Sequence, residues 1–246
     1  MILDRPRGIR ELVAEALVLY QRDWLRYVTL AALVIVPADL LVLGLGVGEL
    51  SASYDAEMPR GDMYVSFALA VVTGALVFPM TIAVLRARLD DAPTTVRAAL
   101  RAGLDVFAAV LAAAILVVAG LVLGLFAFVV PGLILAVRLA VTVPAVVVEG
   151  RRGVEALDRS WRLTRGAFFR TAGALLSIFV PLFVFMAVVV GIPANLLAEE
   201  ADAYGVMLLG SMVIEVLTTP YFAIGITLLF GDLRARREAR DAAAAA

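Results

Sequence analysis

Three ionisable side chains lie inside long apolar stretches of the sequence: Asp39, Arg138 and Glu215. A charge at the centre of a lipid bilayer costs about 2.5–3.5 kcal/mol on insertion scales, and pairing with an opposite charge removes much of this cost. We therefore expect Arg138 to contact one of the two carboxylates. The cluster could be an inert ion pair that fixes packing, or a polar site for an ion or a lipid headgroup. In a third interpretation, Arg138 extends its long side chain to the outer surface of the membrane.

The residue types available for catalysis are few. The chain has no cysteine, histidine or lysine, and all 21 basic residues are arginine. This removes most nucleophile–base triads and dyads and the usual zinc ligands. The stretch GLGVG at 44–48 is not a dinucleotide-binding motif, because Glu49 occupies the position of the third glycine and no strand precedes it. We therefore expect a non-catalytic protein without a metal or cofactor.

The segments that carry the three charges have the composition of membrane spans. Hydrophobic residues make up 63% of the 246-residue chain, and its mean hydropathy is +1.00, whereas a soluble domain is about half apolar. The first apolar run is too long for a cleavable signal peptide. The sequence predicts an all-α polytopic membrane bundle, a single domain over residues 1–246. Its six transmembrane helices are expected at approximately 28–48, 63–85, 104–128, 131–149, 171–196 and 204–230.

The arginines predict the orientation of these spans. If all six cross the membrane and the N-terminus is cytoplasmic, 19 of the 21 arginines lie inside and the outer loops are acidic, as the positive-inside rule requires. Segment 131–149 must then cross despite Arg138 and Pro144, with Pro131 opening the fourth helix at a tight outer turn. Counted from the outer ends, Arg138 lies about 10 Å deep, and Asp39 and Glu215 lie about 14–17 Å deep. We expect both termini on the cytoplasmic side of a bacterial cytoplasmic membrane.

Three arginine-containing segments precede pairs of spans and are predicted to be cytoplasmic amphipathic helices, at approximately 8–27, 94–103 and 153–170. This order suggests three parallel units of one amphipathic helix and two spans, unlike the inverted repeats of many transporters. The alternative is three independent helices of similar composition. The third helix either braces spans four and five or senses anionic lipid at the inner membrane surface. Its predicted apolar face consists of Val154, Leu157, Trp161 and Phe168.

Prolines and glycines add two expectations for packing within the spans. Each proline frees a helix carbonyl, so it indicates either a kink or part of a cavity open to the cytoplasm. Gly120 and Gly124 form a GxxxG pattern that favours close helix packing within the protein. The prolines inside predicted spans are Pro37, Pro79, Pro144, Pro181 and Pro220.

Parts of the sequence resemble a known membrane domain. The stretches RPRGIRELVAEALVLYQRDW, PGLILAVRLAVTVPAVVVEG and GVEALDRSWRLTRGAFFR resemble the domain attached to some bacterial glycerophosphoryl diester phosphodiesterases. The resemblance implies a six-helix membrane fold. It does not imply the activity, because the catalytic barrel of those enzymes is a separate soluble domain that depends on histidines. The most specific residues are Pro131, Gly132, Arg138, Pro144, Glu149, Gly150, Ala156, Leu157, Ser160, Trp161 and Gly166.

These observations favour a non-catalytic polytopic protein of the bacterial cytoplasmic membrane. Its arginine-rich cytoplasmic face is expected to bind anionic lipid of the inner leaflet or a partner protein, and no nucleic acid is expected. The alternative is a permease for a small solute or lipid, with a polar site near Asp39, Arg138 and Glu215. An intramembrane hydrolase is a third hypothesis, and it has the least support from the available residue types.

Overall fold

A computed structural model describes residues 3–44, 60–193, 196 and 203–245. In these residues every regular element is a helix, which confirms the all-α prediction. A π-helical stretch, Ala187–Gly191, continues the eighth helix. The helices are α1 (Ile9–Arg22), α2 (Trp24–Gly44), α3 (Arg60–Leu89), α4 (Val96–Ala127), α5 (Val129–Leu139), α6 (Thr142–Glu149), α7 (Val154–Thr164), α8 (Phe168–Met186) and α9 (Ala203–Ala245).

Six stretches of the described residues are helical, long and apolar enough to cross a membrane, and each overlaps one of the predicted spans. Residues 45–48 and 194–195 of the predicted spans, and most of the acidic loop residues between spans, lie outside the described residues. The long runs of apolar residues in the sequence therefore predict the correct number of candidate spans among the described helices. The six stretches are Trp24–Leu41, Phe67–Leu89, Val96–Ala127, Val129–Glu149, Phe168–Gly191 and Leu209–Ala244.

The buried core is concentrated towards the end of the bundle that carries α1 and α7. Helices α2, α3 and α9 pack on one another, α3 packs along α4, and α4 packs along α5. Fully buried side chains include Leu12 of α1, Met80 of α3 and Phe230 of α9. At the far end, by contrast, Phe126 and Phe128 are 88% and 78% exposed. Exposed apolar side chains of this kind suit a surface that faces lipid.

The hairpin of α4 and α5 depends on two glycines. A Cβ on Gly132 would lie 2.5 Å from the Leu125 side chain, and one on Gly124 would lie 3.0 Å from Cα of Gly132. The helices can approach this closely only without side chains at these positions. Pro131 is the third residue of α5, where its missing N–H leaves no hydrogen bond broken. The predicted hairpin therefore forms, but its turn lies at Phe128, and α5 begins at Val129, two residues before the predicted start at Pro131.

The fourth span is a broken helix and not the single helix predicted over 131–149. Helix α5 ends at Leu139, and α6 begins at Thr142, whose hydroxyl donates to the Leu139 carbonyl at 2.7 Å. Pro144 lies in the first turn of α6, where proline is tolerated because this position needs no helical N–H bond. A break at Ala140–Val141 therefore separates the two halves of this span.

Two of the three predicted amphipathic segments are separate helices, α1 and α7. The middle one is not: Thr95 caps the N-terminus of α4 by accepting from the Ala98 amide at 3.2 Å, and α4 then continues to Ala127. Residues 96–103 are thus the first turns of a span. Both separate helices end earlier than predicted. Helix α1 ends at Arg22, and residues 24–27 belong to α2. Helix α7 ends at Thr164, because Gly166 with φ +79° breaks the chain direction before α8 begins.

Candidate functional site

The structure separates the three predicted intramembrane charges into two places. Glu215 Oε1 lies 3.4 Å from the Thr73 hydroxyl, whose nearest acceptor is the Leu69 carbonyl at 3.0 Å, and Asp39 is near enough to interact with Glu215 electrostatically. These residues come from α9, α3 and α2, which pack together. Arg138 is in neither pair, and the part of the chain that the structure describes contains no ion pair to it. The prediction that Arg138 contacts one of these carboxylates is therefore wrong.

Arg138 instead lies between two aromatic rings beside α7. Its guanidinium carbon is 5.2 Å from the centroid of the Trp161 ring and 5.8 Å from that of Phe168. The prediction assumed a straight helix, whereas the break after α5 allows α7 to pack beside both α5 and α6. Arg138 therefore faces the end of the bundle that carries the other arginines, and it does not extend towards the opposite end.

The guanidinium of Arg138 has unused hydrogen-bond donors. Its Nε and Nη1 atoms are buried, and neither has an acceptor among the described residues. Contacts between a cation and ring faces are favourable, but they do not satisfy N–H groups that point along the guanidinium plane. Arg138 is thus a partly buried cation that can still donate hydrogen bonds to an anionic or carbonyl oxygen.

The backbone carbonyl of Arg138, in contrast, is well satisfied. Ser160 Oγ donates to it at 2.8 Å, and Thr164 Oγ1 donates to it at 3.3 Å. Helix α5 ends just beyond this residue, so its last carbonyls have no partner within the helix. Ser160 and Thr164 are four residues apart on the buried face of α7, and they supply that partner. These two hydrogen bonds attach α7 to the end of α5, next to the break in the fourth span.

Glu149 and Gly150 form the connection from α6 to α7. Arg159 donates to both oxygens of Glu149, from Nε at 2.8 Å and from Nη2 at 2.7 Å. Gly150 adopts φ +69°, and its amide donates to the Val146 carbonyl at 3.0 Å, which caps the end of α6. The family-like residues at 131–166 therefore make one connected unit: a broken span, a glycine cap, a bidentate ion pair and the helix α7.

Asp232 is the centre of a second polar cluster, which sequence reasoning missed. Its carboxylate is fully buried and accepts from the Arg7 amide at 2.7 Å, from Arg170 Nε at 3.0 Å and from Arg236 Nε at 2.8 Å. The buried Arg7 side chain pairs in turn with Glu15 at 2.8 Å. The cluster joins the N-terminal segment to α8 and α9. An acid close to four arginines at the end of the last span was the available signal.

Other arginines at this end of the bundle are exposed and have no ion pair among the described residues. We define the arginine-rich face as the end of the bundle formed by residues 3–27, 86–101, 149–170 and 232–240. Large apolar side chains are exposed on the same face: Trp24 is 52% exposed, Val154 71% and Phe169 87%. The exposed arginines without an ion pair are Arg10, Arg22, Arg97, Arg101, Arg152, Arg165 and Arg240.

An apolar groove of about 390 Å³ lies beside the break in the fourth span. Helices α4, α5, α6 and α8 form most of its walls. Helix α8 begins at Phe168, which contacts the Arg138 guanidinium, and reaches the groove two turns later at Leu175. The groove therefore shares the walls α5 and α8 with the surroundings of Arg138. Side chains on these walls include Val117, Val137, Leu139, Val143, Leu175 and Phe179.

One comparison with known proteins gives a match. The family model described as the membrane domain of glycerophosphoryl diester phosphodiesterase matches residues 109–231, which is half of the 246-residue chain. The matched region includes Arg138, Glu149, Ser160 and Trp161, and it ends one residue before Asp232. Neither a curated protein nor a solved structure matches the chain.

Proposed function

The chain belongs to the family of the membrane domain of glycerophosphoryl diester phosphodiesterase, and we propose that it is a non-catalytic protein that binds anionic phospholipid at its arginine-rich face. The chain is a multi-pass integral membrane protein. A protein of this kind can act on the membrane without a catalytic domain, by holding lipid or by presenting a charged surface. Its residue types favour this role, since cysteine, histidine and lysine are lacking.

The observation that carries this proposal is the exposed side of α7. Val154 and Trp161 are 71% and 41% exposed, and Arg152 and Arg165 at the two ends of this helix have no ion pair among the described residues. An amphipathic helix at a membrane surface places apolar side chains below the headgroups and cations among them. Each arginine near an anionic leaflet contributes about 1 kcal/mol, and Glu155 offsets part of it.

The same face supports the proposed orientation towards the cytoplasm of a bacterial cell. Arg88 pairs with Asp23 at 3.2 Å, and Arg234 lies 3.7 Å from Glu149. Because Arg234 also pairs with Asp4, ion pairs link all four arginine-rich segments at one end. Loops rich in arginine remain on the cytoplasmic side during membrane insertion. The anionic lipids of the inner leaflet would then be the natural ligands of this face.

A repeated architecture is also part of the proposal. Helix α1 precedes the spans α2 and α3, and α7 precedes α8 and α9. With an offset of 144 residues, Trp24 at the start of α2 corresponds to Phe168 at the start of α8. Pro37 and Pro181 lie inside these two helices at the same offset. The middle unit departs from the pattern because its amphipathic segment is fused to α4.

Lipid-dependent thermal stability of the purified protein tests the binding function. Phosphatidylglycerol added in detergent should raise the melting temperature more than phosphatidylcholine, and salt should weaken the difference because it screens exposed charges. The double variant Arg152→Gln/Arg165→Gln should lose most of this difference. The matched control is Arg237→Gln, whose guanidinium pairs with Asp241 at 3.1 Å on the extension of α9. Equal stabilisation by both lipids in the wild-type protein would contradict the proposal.

One observation favours the alternative, a permease. Asp39, Thr73 and Glu215 bring two carboxylates and a hydroxyl together within the spans, and neither carboxylate has an ion pair among the described residues. Carboxylates at this depth commonly mark ion or proton pathways. Proteoliposomes loaded with a pH-sensitive dye would detect a proton flux that Glu215→Gln abolishes. A flux equal to that of empty liposomes would exclude a proton pathway that works without a co-transported solute.

A further inference from the structure

We propose that Arg138 binds the phosphate of one phospholipid molecule, and that an acyl chain of this lipid lies in the apolar groove beside the break. The inference rests on the proposed lipid-binding function and assigns to it a defined site. This site differs from the exposed Arg152 and Arg165 at the two ends of α7, to which the proposed function assigns contact with the anionic leaflet as a whole. Three features support it: the free donors of Arg138, the rings around it, and the adjoining groove.

The first feature is the hydrogen-bonding state of Arg138. Nε and Nη1 are buried and lack an acceptor among the described residues. Arg159 is also partly buried, but there the guanidinium uses Nε and Nη2 to bind both oxygens of Glu149. A buried donor without an acceptor is costly, and a buried cation without a counter-charge is more so. An external acceptor with negative charge would remove both costs.

The second feature is the pair of aromatic rings. Trp161 and Phe168 come from different helices, and their ring centroids lie 5.2 and 5.8 Å from the guanidinium carbon. They restrict the position of the cation, and contacts with ring faces leave its N–H groups at Nε and Nη1 without an acceptor among the described residues. A planar guanidinium held in this way is suited to the tetrahedral oxygens of a phosphate, which accept several N–H bonds at once. The rings also exclude water from part of the site, which strengthens a charge-assisted hydrogen bond.

The third feature is the groove of about 390 Å³ between α4, α5 and α8. Its size lies in the range of small-molecule sites, about 300–1,000 Å³. Phe168 at the guanidinium and Leu175 at the groove are two helical turns apart on α8, about 10 Å. An occupant that extends from one to the other needs an anionic group at one end and an apolar chain at the other. A phospholipid has this form.

Native mass spectrometry of the intact protein with phosphatidylglycerol tests the assignment. The first lipid should bind with higher affinity than later ones, and Arg138→Gln should weaken this first binding at least tenfold. Arg138→Lys keeps the charge but lacks the planar donor fork, and it should weaken binding by a similar factor. If the glutamine variant does not fold, the lysine variant tests whether the first lipid binds at Arg138. Ser177→Ala, outside the arginine-rich face and with its hydroxyl bonded to a carbonyl of its own helix at 2.8 Å, serves as the control and should bind the first lipid like the wild-type protein.

Fluorescence locates the bound lipid. The chain has two tryptophans, so Trp24→Phe leaves Trp161 as the reporter beside Arg138. Phosphatidylglycerol with a brominated acyl chain should quench Trp161 to saturation at one lipid per protein, and Arg138→Lys should remove the saturable phase. Inorganic phosphate alone should neither shift the emission nor displace the lipid, and its binding at millimolar concentration would overturn the assignment to a phospholipid.

The two proposals fail in different ways. If the Arg138 variants bind the first lipid like the wild-type protein while Arg152→Gln/Arg165→Gln still loses the stabilisation by phosphatidylglycerol, the site at Arg138 is wrong and the face proposal stands. If phosphatidylglycerol and phosphatidylcholine stabilise the wild-type protein equally, the face proposal fails. If the first-lipid affinity depends on Arg138 but not on the headgroup charge, the site binds phosphate-bearing lipid without the selectivity that the face proposal requires.

Discussion

At the scale of single residues, the polar groups of this protein fall into two classes. Those of the Asp232 cluster are mutually satisfied: the carboxylate has three donors, and the buried Arg7 side chain bonds Glu15 and the Leu3 carbonyl. Arg138 differs, since its carbonyl is satisfied and its Nε and Nη1 are not. The first arrangement stabilises the fold without any ligand. The arrangement at Arg138 leaves two N–H donor atoms that can bind an acceptor, which is why we propose that the ligand binds at Arg138.

The hydroxyl of Ser160 should be structurally important. Ser160→Ala removes the 2.8 Å bond to the Arg138 carbonyl and leaves only the longer bond from Thr164. A buried carbonyl that loses its partner costs about 1–3 kcal/mol, so thermal stability in detergent should fall. Ser177→Ala is the matched control, because the Ser177 hydroxyl bonds a carbonyl of its own helix at 2.8 Å. Equal effects of the two substitutions would show that the bond to α7 contributes nothing.

Asp232 should be the most sensitive acidic residue among those in described ion pairs. Asp232→Asn removes the charge that Arg170 and Arg236 share in a buried place, and breaking a buried ion pair costs about 3–5 kcal/mol. Asp241→Asn, which disrupts an exposed pair with Arg237, should cost less than about 1 kcal/mol. Chemical unfolding of both variants in the same detergent compares them. A small effect at Asp232 would mean that the arginines find other partners or water.

At the scale of helices, the number and approximate positions of the spans could be predicted because long apolar runs depend only on local composition. The break at Ala140–Val141 could not, although Pro144 was visible, because a proline in a span is equally compatible with a continuous kinked helix. Hydroxyl groups of Ser160 and Thr164, about twenty residues further along the chain, satisfy the carbonyl of Arg138 just before the break. The error in the position of Arg138 follows from this, since depth was counted along a straight helix.

The hairpin between α4 and α5 should tolerate alanine at one glycine and not at another. Gly132→Ala would place a Cβ 2.5 Å from Leu125, so the helices must move apart, at a cost of about 1–3 kcal/mol. Gly120→Ala would place its Cβ at an ordinary 3.7 Å from Leu139 and should leave the melting temperature nearly unchanged. Thermal unfolding of the two single variants provides the measurement. If Gly132→Ala matches the wild-type protein, the close approach is not required for the hairpin.

At the scale of the whole molecule, ion pairs, buried side chains and unpaired arginines are concentrated at one end of the bundle. Charge counting along the sequence predicted that the arginine-rich segments share one side. It could not predict which arginines pair with acids, because the partners of Asp232 come from residues up to 225 positions away. The three-dimensional arrangement leaves Arg152 and Arg165 without an ion pair among the described residues and engages Arg7 and Arg170 in the fold. The proposed function depends on this division.

Topology of the whole chain gives the last prediction. Because the native sequence has no cysteine, single cysteines report their own location. A cysteine at Ser53 or Ala201, which lie outside the described residues, should react with an impermeant maleimide in intact cells, since both positions lie in acidic stretches between predicted spans. A cysteine at the exposed positions Thr95 or Ala242 should react only after the cells are opened, since the arginine-rich face is held inside by the charge rule. Labelling of Ala242→Cys from outside would show that the chain has the opposite orientation. The lipids that Arg138 and α7 can reach would then be those of the outer leaflet.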